Sequence, residues 1–138
     1  MAALINLNQF LTDPATTTST TPVMMGFGST CKVTPTTTGR VLASFTGRAF
    51  TDSSLNATVS RIRYGTGTAP SYGAAGTGTV ISGGVACNSA NPGKGQTITC
   101  IGMAASLTIG TAYWFDLDFV TTGGIAGMNE MSFLAFEV

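Results

Sequence analysis

Residues 39–67, GRVLASFTGRAFTDSSLNATVSRIRYGTG, alternate with a period near two. Val41, Ala43 and Phe45 fall on one side of an extended chain, and Leu42, Ser44 and Thr46 on the other. Beyond a polar turn region, Val59, Arg61 and Arg63 alternate with Ser60, Ile62 and Tyr64. Period two, β-branched and aromatic residues, and flanking Gly, Asp, Ser and Asn predict two strands joined by a turn. A strand pair with an apolar face is not stable alone in water, so the rest of the chain must supply more strands.

It does. Residues 23–33 predict a first body strand, with its glycines marking a bulge or a close backbone approach. PTTTG, residues 35–39, reads as a turn. Residues 79–81 read as a short edge strand between two loops, 65–78 and 82–95. In residues 96–107, Thr97, Thr99, Ile101 and Met103 share one face, and Ile98, Cys100 and Gly102 the other. The clearest alternation is TAYWFDLDFVT, residues 111–121. It sets Tyr113, Phe115, Leu117 and Phe119 toward a core. Trp114, Asp116, Asp118 and Val120 are set toward solvent or a partner. Residues 125–138 close the sheet, with Phe133 and Ala135 on one face and Leu134, Phe136 and Val138 on the other. Apolar residues on both faces suit a buried strand or a subunit interface. Seven or eight strands without a persuasive helix predict an all-β fold, an antiparallel β-sandwich of jelly-roll type.

The first 22 residues differ from the rest. Leu4, Ile5, Leu7, Phe10 and Leu11 form an apolar cluster too short for a stable free helix. Pro14 to Pro22 enclose a Thr-rich run that should be an extended tether burying nothing. The chain therefore divides into an arm, 1–22, and a sandwich domain, 23–138. The arm tip can pack on its own domain or dock on a neighbour.

Composition narrows the function. Charged residues are 9% of the 138, and six Lys+Arg balance six Asp+Glu, against roughly 25% charged in an average soluble protein. No basic field is present to hold nucleic acid. Such a surface is either a Thr-rich β surface or one covered by other subunits. No run reaches the roughly 18 apolar residues of a membrane span. The N-terminus lacks the basic and apolar regions of a signal peptide, so the protein is expected to be made and kept inside the cell or assembled there. Cys31, Cys87 and Cys100 form no CxxC pair and have no His to complete a zinc set. They are expected as small buried thiols, with a Cys87–Cys100 disulfide as the alternative.

Candidate chemistry is sparse. The chain has no His, the usual general base near neutral pH, and no G-x-S-x-G elbow. Asp116 and Asp118 project from one strand face and could bind Ca²⁺ only with further oxygen ligands; solvated carboxylates are the plainer reading. GKGQT, residues 93–97, lacks the pattern of a P-loop. No cofactor or metal is expected, and no enzyme. Arg61 and Arg63 share a strand face and can pair with Asp116 and Asp118 on a neighbouring strand or subunit. These four, with Phe136, are the candidate subunit-interface residues.

RIRYGTGTAPSYGAAGTGTVI, residues 61–81, and LTIGTAYWFDLDF, residues 107–119, resemble segments of small β-sandwich proteins and domains in tailed-bacteriophage virions. The opening TTPVMMGFGST and the closing aromatic strand fit the same pattern, which covers most of residues 21–138. The region around Cys87 to Lys94 departs from it. The shared motifs are structural. The resemblance implies a virion structural protein, assembled in the cytoplasm of a bacterial host. The favoured role is a capsid decoration or cement protein, a homotrimer whose arm residues Leu4, Ile5, Leu7, Phe10 and Leu11 bind the major capsid protein or a neighbouring trimer. The alternative is a tail-fibre or receptor-binding tip protein contacting the host through its loops, with Tyr72 the contact candidate.

Overall fold

In a computed structural model, residues 5–10 are described as main chain only, and residues 13–52, 56–88 and 95–138 in full. All paired strands are antiparallel and form two facing sheets. In chain order they are β1 (Ile5–Phe10), β2 (Val23–Met24), β3 (Lys32–Val33), β4 (Val41–Thr51), β5 (Ala57–Thr66), β6 (Thr79–Val80), β7 (Val85–Asn88), β8 (Gln96–Ala104), β9 (Tyr113–Thr121) and β10 (Ala126–Glu137). The first sheet runs β1-β10-β4-β8. The second runs β2-β9-β5-β6, with β3 also on β9 and β7 also on β5. The long strands cross repeatedly between the sheets, giving a jelly-roll-like sandwich.

The alternation expected in β4 is complete: Val41, Ala43, Phe45, Gly47, Ala49 and Thr51 are buried, and the residues between them are half-buried. But β4 and β5 are not partners in one sheet. β4 lies between β10 and β8, while β5 lies beside β9. Each strand has one buried face, and facing each other across the core covers both. A side-by-side pair would leave the two faces in need of a second layer.

The expected strand at 23–33 is broken. Gly26 has φ +81°, and a 3-10 turn, Phe27–Ser29, separates β2 from β3. The turn drives Phe27 between the sheets, where its ring lies 6.0 Å from Phe45 and 6.3 Å from Phe133. Around this trio the core continues through Cys31, Val33, Ile62, Phe115, Leu117 and Met128. In β10 the register with β4 shifts between Asn129 and Ser132. The extra residue falls at exposed Glu130, at φ 51°, and lets Met128 and Met131 both turn inward. β10 is an internal strand, flanked by β4 and by the arm strand β1, rather than a closing edge.

The Thr-rich tether is not free of the body. Thr17 exchanges two main-chain hydrogen bonds with Ala126 (2.8 and 2.9 Å), and the Ser19 carbonyl accepts from the Thr121 N–H at 3.0 Å. Thr17 is buried, where the sequence predicts a segment that buries nothing. Threonine hydroxyls and unpaired main-chain groups can satisfy a sheet margin that charged side chains would keep in water.

Candidate functional site

β5 and β9 pair so that Arg61 stands opposite Asp118 and Arg63 opposite Asp116. The predicted opposite-charge pairing forms within the subunit, with a different partition. Arg61 grips Asp118 with two bonds, Nε to Oδ1 at 3.2 Å and Nη2 to Oδ2 at 3.1 Å. Arg63 also turns to Asp118, donating from Nε to Oδ2, and its Nη1 reaches the Gly78 carbonyl at 3.1 Å. One carboxylate therefore serves two guanidinium groups.

Asp116 takes main-chain donors instead. Its Oδ1 accepts from Phe27 (3.0 Å) and Leu117 (2.7 Å), and its Oδ2 from Gly26 (3.1 Å). Burial pushes its carboxyl up to about 6, against the pull of these N–H groups. It ties β9 to the turn that delivers Phe27 to the core.

Both aspartates are fully buried. This corrects the expectation of an acidic pair facing solvent or a partner, and with it the naming of Asp116 and Asp118 as subunit contacts. Their cover is the same chain. Met24 exchanges two main-chain bonds with loop 67–78 (Met24 N–H to Ala74 O 2.8 Å, Gly73 N–H to Met24 O 2.9 Å). Gly76 N–H donates to Pro22 O at 2.9 Å. Arg61 and Arg63 are partly covered too, and their charge is directed inward. Tyr72 belongs to this roof. Its hydroxyl donates to the carbonyls of Ala15 (2.7 Å) and Thr16 (2.9 Å), and its ring lies 6.5 Å from Phe119. The candidate loop contact thus holds the tether, although the residue keeps 37% exposure.

The first sheet is different. Phe136, Leu42 and Met103 form one row across β10, β4 and β8. Leu134, Ser44 and Ile101 form the next. All six point away from the core: Phe136, Leu134, Leu42 and Ser44 are half-buried, and Ile101 and Met103 expose 60% and 45% of their surface. The candidate Phe136 therefore sits on an outward apolar face, while the other four named interface residues belong to the opposite sheet. Ile101 and Met103 were not singled out from sequence. Their signal was a strand face, Thr97 to Met103, without a charged residue. β8 has neither Lys nor Pro nor a recorded bulge, the usual protections of a sheet edge, and among the described residues it pairs with β4 alone.

Of the arm candidates, Leu4 and Leu11 lie outside the described residues, as do the side chains of Ile5, Leu7 and Phe10. The main chain of β1 pairs along β10, with Ile5 opposite Phe136 and Leu7 opposite Leu134. Gly93 and Lys94 of the GKGQT loop are also outside the described residues.

Cys31, Cys87 and Cys100 are buried and none is in a disulfide, which removes the alternative Cys87–Cys100 bridge. Cys87 Sγ donates to Ala49 O at 3.3 Å and Cys100 Sγ to Ser60 O at 3.7 Å. Burial, with Asp118 nearby, pushes the Cys100 thiol up to about 11. Among the described residues no group of three His, Cys, Asp or Glu could hold a metal, and no helix is long and apolar enough to cross a membrane.

No protein-family model matches this chain, and no curated protein matches it. Among solved structures it is similar to the Eiger TNF from S. frugiperda, with 9% identity and a TM-score of 0.49. That likeness covers 99% of this chain and 92% of the other. It is also similar to the EclA C-terminal domain, a sugar-binding protein, with 15% identity and a TM-score of 0.40, over 96% and 80% of the two chains. Neither likeness is close enough to carry an activity across.

Proposed function

We propose that this chain is a structural protein of a tailed-bacteriophage virion, a capsid decoration or cement protein that acts by occupying surfaces rather than by chemistry. The observation that carries the reading is the outward apolar face of the β1-β10-β4-β8 sheet, where half-buried Leu42, Leu134 and Phe136 adjoin exposed Ile101 and Met103. An apolar face of this kind beside an edge strand with neither Lys nor Pro favours a partner with the same chemistry. A second and third copy of the chain supply it. The quoted resemblance of residues 61–81 and 107–119 to virion proteins supports the setting.

The carboxylates Asp116 and Asp118 are consumed by donors of their own chain, which leaves them unsuited to acid–base work. β1 lies at the edge of the sheet that carries the apolar face, so the arm would reach the capsid shell or a neighbouring trimer from beside the contact between copies. Repetition over a shell multiplies such modest contacts. Tyr72, engaged with the tether, gives the receptor-tip alternative no support.

The test is binding to heads. Purified protein is mixed with capsids lacking it, and co-sedimentation is followed by imaging of the decorated particles. Saturable binding at symmetry-related positions, lost on deleting residues 1–13 while the body stays folded, is expected. Absence of binding to any head, or location on tail structures of intact particles, overturns the decoration reading.

A further inference from the structure

The PTTTG segment, residues 35–39, looks from sequence like a turn and nothing more. In the structure four successive main-chain N–H groups converge on one carboxylate, that of Glu137. Thr36 N–H donates to Oε2 at 2.8 Å. Thr37, Thr38 and Gly39 N–H donate to Oε1 at 2.8, 2.6 and 3.2 Å. Two hydroxyls complete the set, Thr36 Oγ1 to Oε2 at 3.0 Å and Thr38 Oγ1 to Oε1 at 3.1 Å. Gly39, at φ +65°, turns the last N–H inward, and a Cβ there would strike the Leu107 carbonyl.

This is a nest of oriented dipoles of the kind that binds anions. It recognises the carboxylate with neutral donors alone. Among the described residues Glu137 has no ion pair, and the nearby Arg40 directs Nη2 to Met103 Sδ at 3.4 Å. The nest is also braced by main-chain bonds that do not involve the Glu137 carboxylate. Leu107 N–H donates to Gly39 O at 2.9 Å, Gly110 N–H to Pro35 O at 2.8 Å, and Val138 N–H to Arg40 O at 2.9 Å. Loop 105–111 thus braces the two ends of the donor segment, at Pro35 and Gly39, through bonds that do not use the Glu137 side chain.

We infer that the Thr36–Gly39 loop is an oxyanion receptor that the chain loads with its own Glu137, and that it accepts a small carboxylate or inorganic phosphate once that side chain is removed. In the intact chain the loaded receptor clasps the end of β10, one residue beyond Phe136, and so fixes the last turn-out of the apolar face. The inference rests on the hydrogen-bond geometry and not on the virion reading; either can fail without the other.

The experiment uses the full chain carrying Glu137→Ala. Its thermal midpoint is measured in formate, acetate or inorganic phosphate against chloride at equal ionic strength, with wild type alongside. Main-chain amide shifts of Thr36, Thr37, Thr38 and Gly39 are followed by NMR. Selective stabilisation of the variant by roughly 5 °C near saturation, with saturable shifts confined to these amides and no selective effect on wild type, is the expected result. Equal responses of the two proteins, or shifts scattered over the surface, overturn the inference. Should the variant fail to fold, the wild-type side-chain carboxyl of Glu137 is titrated directly: a carboxyl still ionised well below the ordinary range supports the receptor, and one titrating near 4.5 rejects it.

Discussion

Replacing Ile101 and Met103 together by lysine should abolish the proposed self-association and leave the subunit folded. Complete burial of such an apolar side chain is worth about 1.5–3 kcal/mol. These two expose 60% and 45% of their surface, so covering the remainder contributes about 2.5 kcal/mol per contact, or roughly sixtyfold in the association constant. Burying two ammonium groups adds a desolvation penalty, so the loss should exceed about a hundredfold. In the isolated subunit both positions already face water, so the lysines have room and the monomer's thermal midpoint should barely move. Thr97→Lys is the control, because it puts the same charge on the same strand beyond the apolar rows. Sedimentation velocity over a concentration series gives the association constants. Wild-type protein that stays monomeric at every concentration would refute the reasoning, and so would a double-lysine variant that associates as tightly as wild type.

Acid should weaken the Glu137 clasp. The donors of Thr36–Thr38 hold this carboxyl well below its ordinary range, so its contribution is present above the unfolded value near 4.5 and is lost as pH falls toward the folded one. Glu137→Gln should therefore flatten that part of the acid-denaturation curve, read by circular dichroism from pH 5 downward. Asp116 has the opposite sign: its folded value is raised to about 6, so its contribution falls as pH rises from about 4 to 6, and Asp116→Asn should remove that decline, at the cost of leaving the Gly26 N–H without its acceptor when the amide oxygen keeps the Phe27 and Leu117 bonds. Asp118→Ala leaves two guanidinium groups packed without their shared carboxylate and should cost about 3 kcal/mol, a fall of roughly 10 °C in thermal midpoint; Arg61→Ala, at the more exposed partner, should cost much less.

Alternation alone was enough to read the faces of the long strands. The inward set Ile98 and Cys100 and the outward set Thr97, Thr99, Ile101 and Met103 are as the period implies, because a strand reverses side at every residue. Which strands become neighbours was not legible. The β4 and β5 patterns are satisfied equally by a hairpin or by facing sheets, and a long-range choice decides between them. The cover over Asp116 and Asp118 was also hidden. It is built from 22–31 and 67–78, glycine-rich segments without periodicity, whose main-chain bonds leave no mark in side-chain type. The Glu137 receptor escaped for the same reason: its donors are peptide N–H groups, and threonine hydroxyls are common in any polar turn.

The same contrast distinguishes the two outer faces of the molecule. Both sheets have an outer face, and the chain treats them differently. Over the second sheet it folds its own tether and loop, buries two carboxylates, and anchors the roof with Tyr72. Over the first, no described residue plays that part, although this sheet carries Leu42, Ile101, Met103, Leu134 and Phe136 on its outer rows. A chain with 9% charged residues has little else to keep such a surface in solution. Among the described residues, intramolecular cover lies over the charged face and not over the apolar one, and the proposed assembly would have neighbouring subunits complete the second roof.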